Sequence, residues 1–447
     1  MTPKYDVVVV GAGVLGVAAA YHLKRRRPSL SVLVLDAQGA EGRGSTSAAA
    51  AMVRDVFSSS DNWRLAHSSI EFYRSVQRSG VDLGLDLYGY LWLLREADRE
   101  RYASYLDRNG GLAAEVVDVS ELAALPGLSL RPEGVLNSIV HAPEITGGLF
   151  GRSCGAINPA ELARYYREAA QALGVEFRFD SCVTRLSFEG RPDLDLDSAG
   201  LRPLAYQEHE SEKVRVSRLV LRGKAESVVS TDRVVVTAGA WADQLLHPLG
   251  FSTACSPRRR LLFSVGGAPV EEFLRWRLPN DGAAGTGDRT PFVILPTGAY
   301  VKPMAKERHA WLGYSDHAGL ALGTSETIAS GLGYAAPQLA DWSFYSADLL
   351  PQIAVYLPSF QNAVRQRAWG GYYNYSSDGL PILEEEFGII FLGGDSGSGI
   401  MKADALGRLV ASRYLGEPIG DLFGGIPYPV EHLGLKERKV ETERIIL

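Results

Sequence analysis

An apolar run, Tyr5 to Val10, is followed at once by Gly11, Gly13 and Gly16 in the spacing G-x-G-x-x-G, and this feature limits the fold more tightly than any other. Val14 to Arg27 carries helical spacing and Ser31 to Leu35 is a second β-branched run, so the segment reads as strand, helix and strand. A continuous run such as VVVV suits a parallel sheet covered on both faces. The three glycines have separate tasks. The first permits the tight turn, the second lets a pyrophosphate approach the backbone, and the third lets helix and strand pack closely. Val14 and Leu15 open the helix, whose free N–H groups and positive dipole end face the anion. Asp36 ends the second strand about 20 residues beyond the last glycine, where a carboxylate accepts ribose hydroxyls. A dinucleotide follows. The motif alone does not separate FAD from NAD, because both present an ADP half to the same loop.

A chain of 447 residues exceeds one ordinary hydrophobic core, so two domains are expected. The formal charge of -6 is small, and no Lys/Arg-rich stripe with interleaved aromatics offers a groove for nucleic acid. No apolar stretch reaches the roughly 20 residues needed to span a bilayer. The three cysteines, Cys154, Cys182 and Cys255, lack metal-type or disulfide spacing, and no metal site is expected. Met1 leads directly to an apolar strand without a charged leader, which sets a cytoplasmic protein as the default expectation.

Further along, Gly42 to Ala51 is a Gly/Ser/Thr/Ala tract, too polar and small-residue-rich to be expected in a core. Helices are predicted over Asn62–Gln77, Arg95–Asn109, Pro159–Leu173 and Gly399–Leu415. Strands are predicted over Leu87–Leu94, Val175–Phe179, Leu261–Val265, Phe292–Leu295, Ala299–Pro303, Ala310–Tyr314 and Gly388–Leu392. The stretches 189–213 and 279–291 read as long loops, the first between two β-rich runs, and neither declares a function. The charged tail from Glu431 reads as a docking element or a frayed end.

Three more segments favour a flavin. These are Gly44-Ser45-Thr46-Ser47-Ala48, then VVVTAGAW at 234–241, and LGGDSGSG at 392–399, each a Gly- or Ser-rich turn. The last two end apolar strands and bring backbone donors to an extended cofactor. At these residues the chain resembles the D-amino-acid oxidase superfamily, within the branch of sarcosine oxidases, glycine oxidases and β-subunits of dye-linked L-proline dehydrogenases. The motifs that carry the resemblance run almost end to end: GAGVLG, GSTSAAAAMVR, INPAELARYYREAAQALGVEF, VVVTAGAWADQL, GAYVKP with WLGYSD, GGYYNYSSDGLPIL, and GGDSGSGIMKADALGRLVA. The resemblance implies an α/β (α+β overall) protein in which a Rossmann-type FAD domain with a parallel sheet carries a mixed-sheet substrate domain. Residues 1–82, 150–250 and 366–447 would form the first, and 83–149 and 251–365 the second.

By the same resemblance, Gly44, Ser45, Thr46 and Ser47 would meet the flavin phosphates or ring edge, and Val183 the adenine. Ala238, Gly239 and Trp241 would line the cofactor. Gly397, Gly399, Ile400, Met401 and Lys402 would pass over the flavin, whose anionic reduced form the helix dipole would stabilise. Arg54 matches a position that holds a substrate carboxylate, a task suited to a guanidinium fork. Tyr300 matches an active-site tyrosine, and Tyr372 and Tyr373 sit where aromatic residues flank the flavin. Departures are as informative. Gly371 stands where sarcosine oxidases carry the cysteine that tethers flavin, so FAD is expected to be non-covalent. Ser398 replaces a histidine, Ser315 replaces an active-site histidine, and a carboxylate-assisting lysine falls on Met401, one residue before Lys402.

The expected reaction is oxidation of a small amine or amino acid, sarcosine-, glycine- or proline-like, to an imine by hydride transfer to flavin N5. Arg54 would orient the carboxylate, Tyr300 and Tyr372 would wall the pocket, and Lys402 would bias the local charge. Oxygen or an electron carrier would take the electrons, and a homo-oligomer or partner subunit stays open. The alternatives are a dehydrogenase of a 2-hydroxy acid or glycerol phosphate, and a flavin-binding subunit without turnover.

Overall fold

The computed structural model describes residues 2–108, 114–188, 216–223, 226–278, 289–314, 342–436, 438 and 440–445. Its centre is a six-stranded sheet. The strand Val7–Val10 pairs in parallel with Val32–Leu35 on one side and Val234–Val236 on the other, with Val8 beside Leu33 and Val234. Glu176–Arg178 extends one edge, while Ile389–Gly393 and the antiparallel Ile382–Glu386 complete the other. The alternation of side chains along a strand explains the VVVV run, because two different cores need filling. Val7 and Val9 pack with the helices Val14–Arg26, Ser60–Arg78, Pro159–Ala172 and Gly399–Leu415, whereas Val8 and Val10 pack under a four-stranded sheet. That small sheet is made of Lys4–Tyr5, Glu226–Thr231, Val216–Arg222 and Cys182–Phe188. Its antiparallel pair Cys182–Phe188 and Val216–Arg222 flanks the predicted loop 189–213, which itself lies outside the described residues, as do 279–288 and Ser315.

Eight strands form a second, mixed sheet in the order 364–376, 255–266, 309–314, 299–304, 292–294, 90–94, 147–151 and 114–117. It too separates two cores. Leu91, Leu93, Val293 and Val301 face outward into a cluster closed by the helical segments near Phe273 and Tyr345. Tyr90, Trp92, Phe292, Ile294 and Tyr300 point toward the cofactor side.

Three expectations change. The strand Val364–Ser376 crosses the expected boundary at 366 and is the edge of the second sheet, because its whole length pairs with Cys255–Gly266. The Gly42–Ala51 tract, expected to stay out of the core, is partly inside it. Ser45–Ala48 is a short helix, and Ala48, Ala50 and Ala51 are buried between the two sheets, where small side chains permit close approach. The tail is not frayed over its described part. Arg438 donates from Nε and Nη2 to both carboxylate oxygens of Asp378 at 2.6 and 2.8 Å, and also to the carbonyls of Pro381, Leu433 and Leu380. Ile445 is buried.

Candidate cofactor and active site

The parallel strands of the central sheet deliver their carboxyl ends to one edge, where Val10, Val236 and Phe391 lie side by side and the glycine-bearing turns that follow them begin. Gly11 adopts a φ of 103°, and a Cβ there would lie 2.7 Å from the Thr237 carbonyl oxygen. A Cβ on Gly16 would lie 1.9 Å from the Gly11 carbonyl oxygen, so the glycine-loop helix touches its strand only because that atom is missing. Asp36 is mostly shielded, accepts from Ala12 N at 2.6 Å and Gln38 N at 2.8 Å, and is raised above the usual carboxylate range by burial. Its position orders the loop and leaves lone pairs for sugar hydroxyls.

From this edge runs a cavity of about 1090 Å³, at the upper end of the roughly 300–1000 Å³ of small-ligand sites. Gly11, Gly13, Val14, Leu15 and Asp36 line its first part, and Val183 lines it as well. Gly44, Ser45 and Thr46 line the middle. Ala238, Gly239, Trp241, Gly397, Gly399 and Ile400 line the far part, together with Tyr300, Tyr372 and Tyr373. Ser45 supplies the test of fit. Its Oγ is buried and finds no hydrogen-bond partner among the described residues, on a wall that faces the helix N-terminus. A pyrophosphate would satisfy that donor.

Some expected residues lie off the cavity. Gly16 acts through packing, Ser47 donates to the Gly44 carbonyl at 3.0 Å, and Met401 is in the helix core. Lys402 is fully buried, and its Nζ donates to Asn62 Oδ1 and Ser398 Oγ. Burial pushes its pKa down to about 7. Arg54 is 1% exposed and does not line the cavity. Its Nη1 donates to the Val56 carbonyl at 2.8 Å and its Nη2 to the Ile445 carbonyl at 3.3 Å, while its guanidinium lies 4.2 Å from the Phe57 ring centre. Glu443 of the tail is held beside it by Ser58, Ser59 and Asn62. Burial would raise the Glu443 pKa, but Arg54 and the Ser58 hydrogen bonds outweigh it and hold it low. The tail therefore covers Arg54 with its own carbonyl and carboxylate.

Sequence reasoning gave no site role to Arg260, Arg222, Ala49 or Ala50, and it covered Ala48 and Asp395 only as members of the 44–48 and 392–399 turns; all of them line the cavity. The signal for Arg260 was present. In the Arg258-Arg259-Arg260 run on a strand, the first and third share one face, and both lie over the Tyr375 ring. The wall at Ala48–Ala50 is fixed from the second sheet, where Trp369 Nε1 donates to the Ala48 carbonyl at 3.1 Å and Lys302 Nζ to the Ala50 carbonyl at 2.6 Å. A Cβ on Gly371 would lie 2.9 Å from the Cβ of Ala48. Close approach thus accounts for the glycine at the expected tether position.

The DAO model, FAD dependent oxidoreductase, matches residues 6–413. The chain belongs to the DAO family. It is 25% identical over 443 residues to "FAD-dependent oxidoreductase domain-containing protein 1" of Bos taurus, covering 92% of this chain and 81% of that protein. It is 24% identical over 432 residues to a glycine oxidase of Bacillus licheniformis, covering 94% and 95%. The crystal structure of L-proline dehydrogenase from P. horikoshii superposes with a TM-score of 0.68 at 19% identity over 97% of each chain, which establishes the shared fold. This DAO-family protein is therefore an FAD-dependent oxidoreductase with a mixed α/β architecture. Its FAD is held non-covalently. Gly371 offers no thiol at the expected tether position, and among the described residues the cysteine that lines the cavity is Cys182, which follows Ser181 on the Asp36 side.

Proposed function

We propose that this DAO-family enzyme oxidises a small amine or amino acid, sarcosine-, glycine- or proline-like, to an imine. The observation that carries the reading is the composition of the cavity beyond the glycine loops. Tyr300, Tyr372 and Leu262 give it an aromatic and apolar wall, and Arg260 beside them gives it a polar anchor. Bound FAD supplies a two-electron acceptor for the hydride of a C–H bond next to a neutral amine. The protein contribution is then positioning and the exclusion of water. Tyr300 is buried, and its hydroxyl fits because residue 313 is glycine; a Cβ there would meet that hydroxyl at 2.2 Å. Tyr372 stands edge-on to Trp241 at 5.3 Å, which closes the wall from the second sheet to the first. Oxygen or an electron carrier would reoxidise the flavin. A glycerol-phosphate substrate is less well served, since a phosphate calls for several donors and this end offers one arginine.

Anaerobic mixing of the holoenzyme with glycine, sarcosine, proline, lactate and glycerol 3-phosphate tests the reading. Bleaching of the oxidised-flavin band by an amino acid is the expected result. Bleaching by lactate or glycerol 3-phosphate alone would replace the substrate class, and bleaching by none of them would favour a subunit without turnover.

A further inference from the structure

Arg260 has a geometry that the wall-building role leaves unexplained. It lies on the strand Cys255–Gly266 opposite Gly371, so no side chain on the neighbouring strand covers it at that register. It is 9% exposed and lines the cavity. Its Nε and Nη2 both donate to the Tyr375 hydroxyl, at 3.2 and 2.6 Å, and its guanidinium lies 5.8 and 5.3 Å from the Tyr373 and Tyr375 ring centres. One edge of the fork is thus pinned to a phenol hydroxyl. No hydrogen bond from Nη1 is found among the described residues, and no carboxylate forms an ion pair with Arg260 there. The acid that shares this end of the cavity, Asp395, turns one oxygen to Gly399 N at 2.9 Å.

Burying a permanent cation against aromatic rings without a counter-ion is costly unless an anion completes the site. Arg54, by contrast, has both of its Nη groups bonded to carbonyls and lies off the cavity, with only its Nε left without a hydrogen bond among the described residues. It lies beyond a run of rings from Tyr300 through Phe292 and Tyr90 to Trp92, with centre separations of 5.2, 4.5 and 5.3 Å. We propose that Arg260, positioned by Tyr375, holds the substrate carboxylate and selects amino acids over simple amines, and that Arg54 serves instead to seat the C-terminal tail. The proposal rests on the amine-oxidation reading but does not need turnover to be tested.

The test uses the holoenzyme and two non-oxidisable probes of one shape, cyclopentanecarboxylate and its neutral carboxamide, read by the flavin absorbance difference spectrum. Wild type is expected to prefer the carboxylate by about tenfold or more, and Arg260→Met to lose roughly thirty-fold or more in carboxylate affinity while the amide is unchanged. Arg260→Lys should recover only part of the preference, because an ammonium restores charge but not the fork. If Arg260→Met does not load FAD, Arg260→Lys and Tyr375→Phe carry the test, each with a reduced preference expected. The proposal is overturned if wild type does not discriminate the probes, or responds to neither. It is equally overturned if the preference survives the Arg260 variants and disappears in Arg54→Ala. Flavin reduction by amino acids without carboxylate discrimination would remove Arg260 and leave the function standing. Discrimination without reduction by any amine would do the reverse.

Discussion

Single atoms decide much of the cofactor site. Gly16 is required because its absent Cβ allows the helix to touch Gly11, and Ser45 is informative because its hydroxyl is buried without a partner. A neutral donor aimed at a pyrophosphate makes a hydrogen bond to a charged group, which contributes about 1.5–3 kcal/mol. Ser45→Ala is therefore expected to weaken FAD binding by roughly tenfold to a hundredfold while the fold is kept. Titration of the apoenzyme with FAD, followed by flavin fluorescence, measures it. An unchanged dissociation constant would place Ser45 outside the phosphate contacts.

At the scale of elements, the glycine-loop helix Val14–Arg26 is locked to the C-terminal helix Gly399–Leu415 by charge as well as by packing. His22 Nε2 lies 2.7 Å from Asp404 Oδ1, Tyr166 donates to the same oxygen at 3.1 Å, and Arg408 Nε donates to Oδ2 at 2.6 Å. Burial pulls the His22 pKa down. It would push that of Asp404 up, but His22 and Arg408 outweigh it and hold the carboxylate ionised. These helices carry the two ends of the cavity, so the network fixes their spacing. Asp404→Asn removes a fully buried carboxylate that is counter-ion to the partly buried Arg408 and should cost about 3–5 kcal/mol, read as a fall in denaturant midpoint. FAD affinity should fall with it. A midpoint within error of wild type would show that packing alone holds the helices.

Across the whole molecule, two buried lysines tie elements that are distant in sequence. Lys302, 5% exposed, reaches from the second sheet to Ala50, and Lys402 reaches from the last helix to Asn62. Burial lowers their pKa values to about 8 and about 7, from 10.5 for an exposed lysine. Between those values and 10.5 the unfolded chain holds protons that the native state has lost, so their contribution to stability rises with pH across that window. Below it both states are protonated and the cost of a buried charge is constant. Lys302→Met should accordingly raise Tm relative to wild type most near pH 7, with the gap shrinking toward pH 10, when melting is followed at saturating FAD across about pH 7 to 10. A gap that stays constant would mean that Lys302 titrates as an exposed amine.

The local part of this protein was written in its sequence. The βαβ unit, the glycine spacing and Asp36 are contiguous, and a strand buried on both faces has to be apolar at every position, so Val7–Val10 declared its parallel sheet before any contact was known. The segments 44–48, 234–241 and 392–399 likewise each supply residues to the cavity wall, since each is a turn that follows its own element. What the sequence could not settle were matters of pairing. Whether Gly42–Ala51 lay outside or inside the core depended on Trp369 and Lys302 reaching it from strands some 250 residues or more away. The same holds for the two arginines. Arg54 and Arg260 are equal as residues, but the tail folds back to give Arg54 a carbonyl and a nearby carboxylate. Arg260 instead falls opposite a glycine, with one edge held by Tyr375 and the other turned to the cavity. Local propensity fixes what a segment becomes, whereas burial and long-range register decide which side chain is spent on the fold and which is left for a ligand.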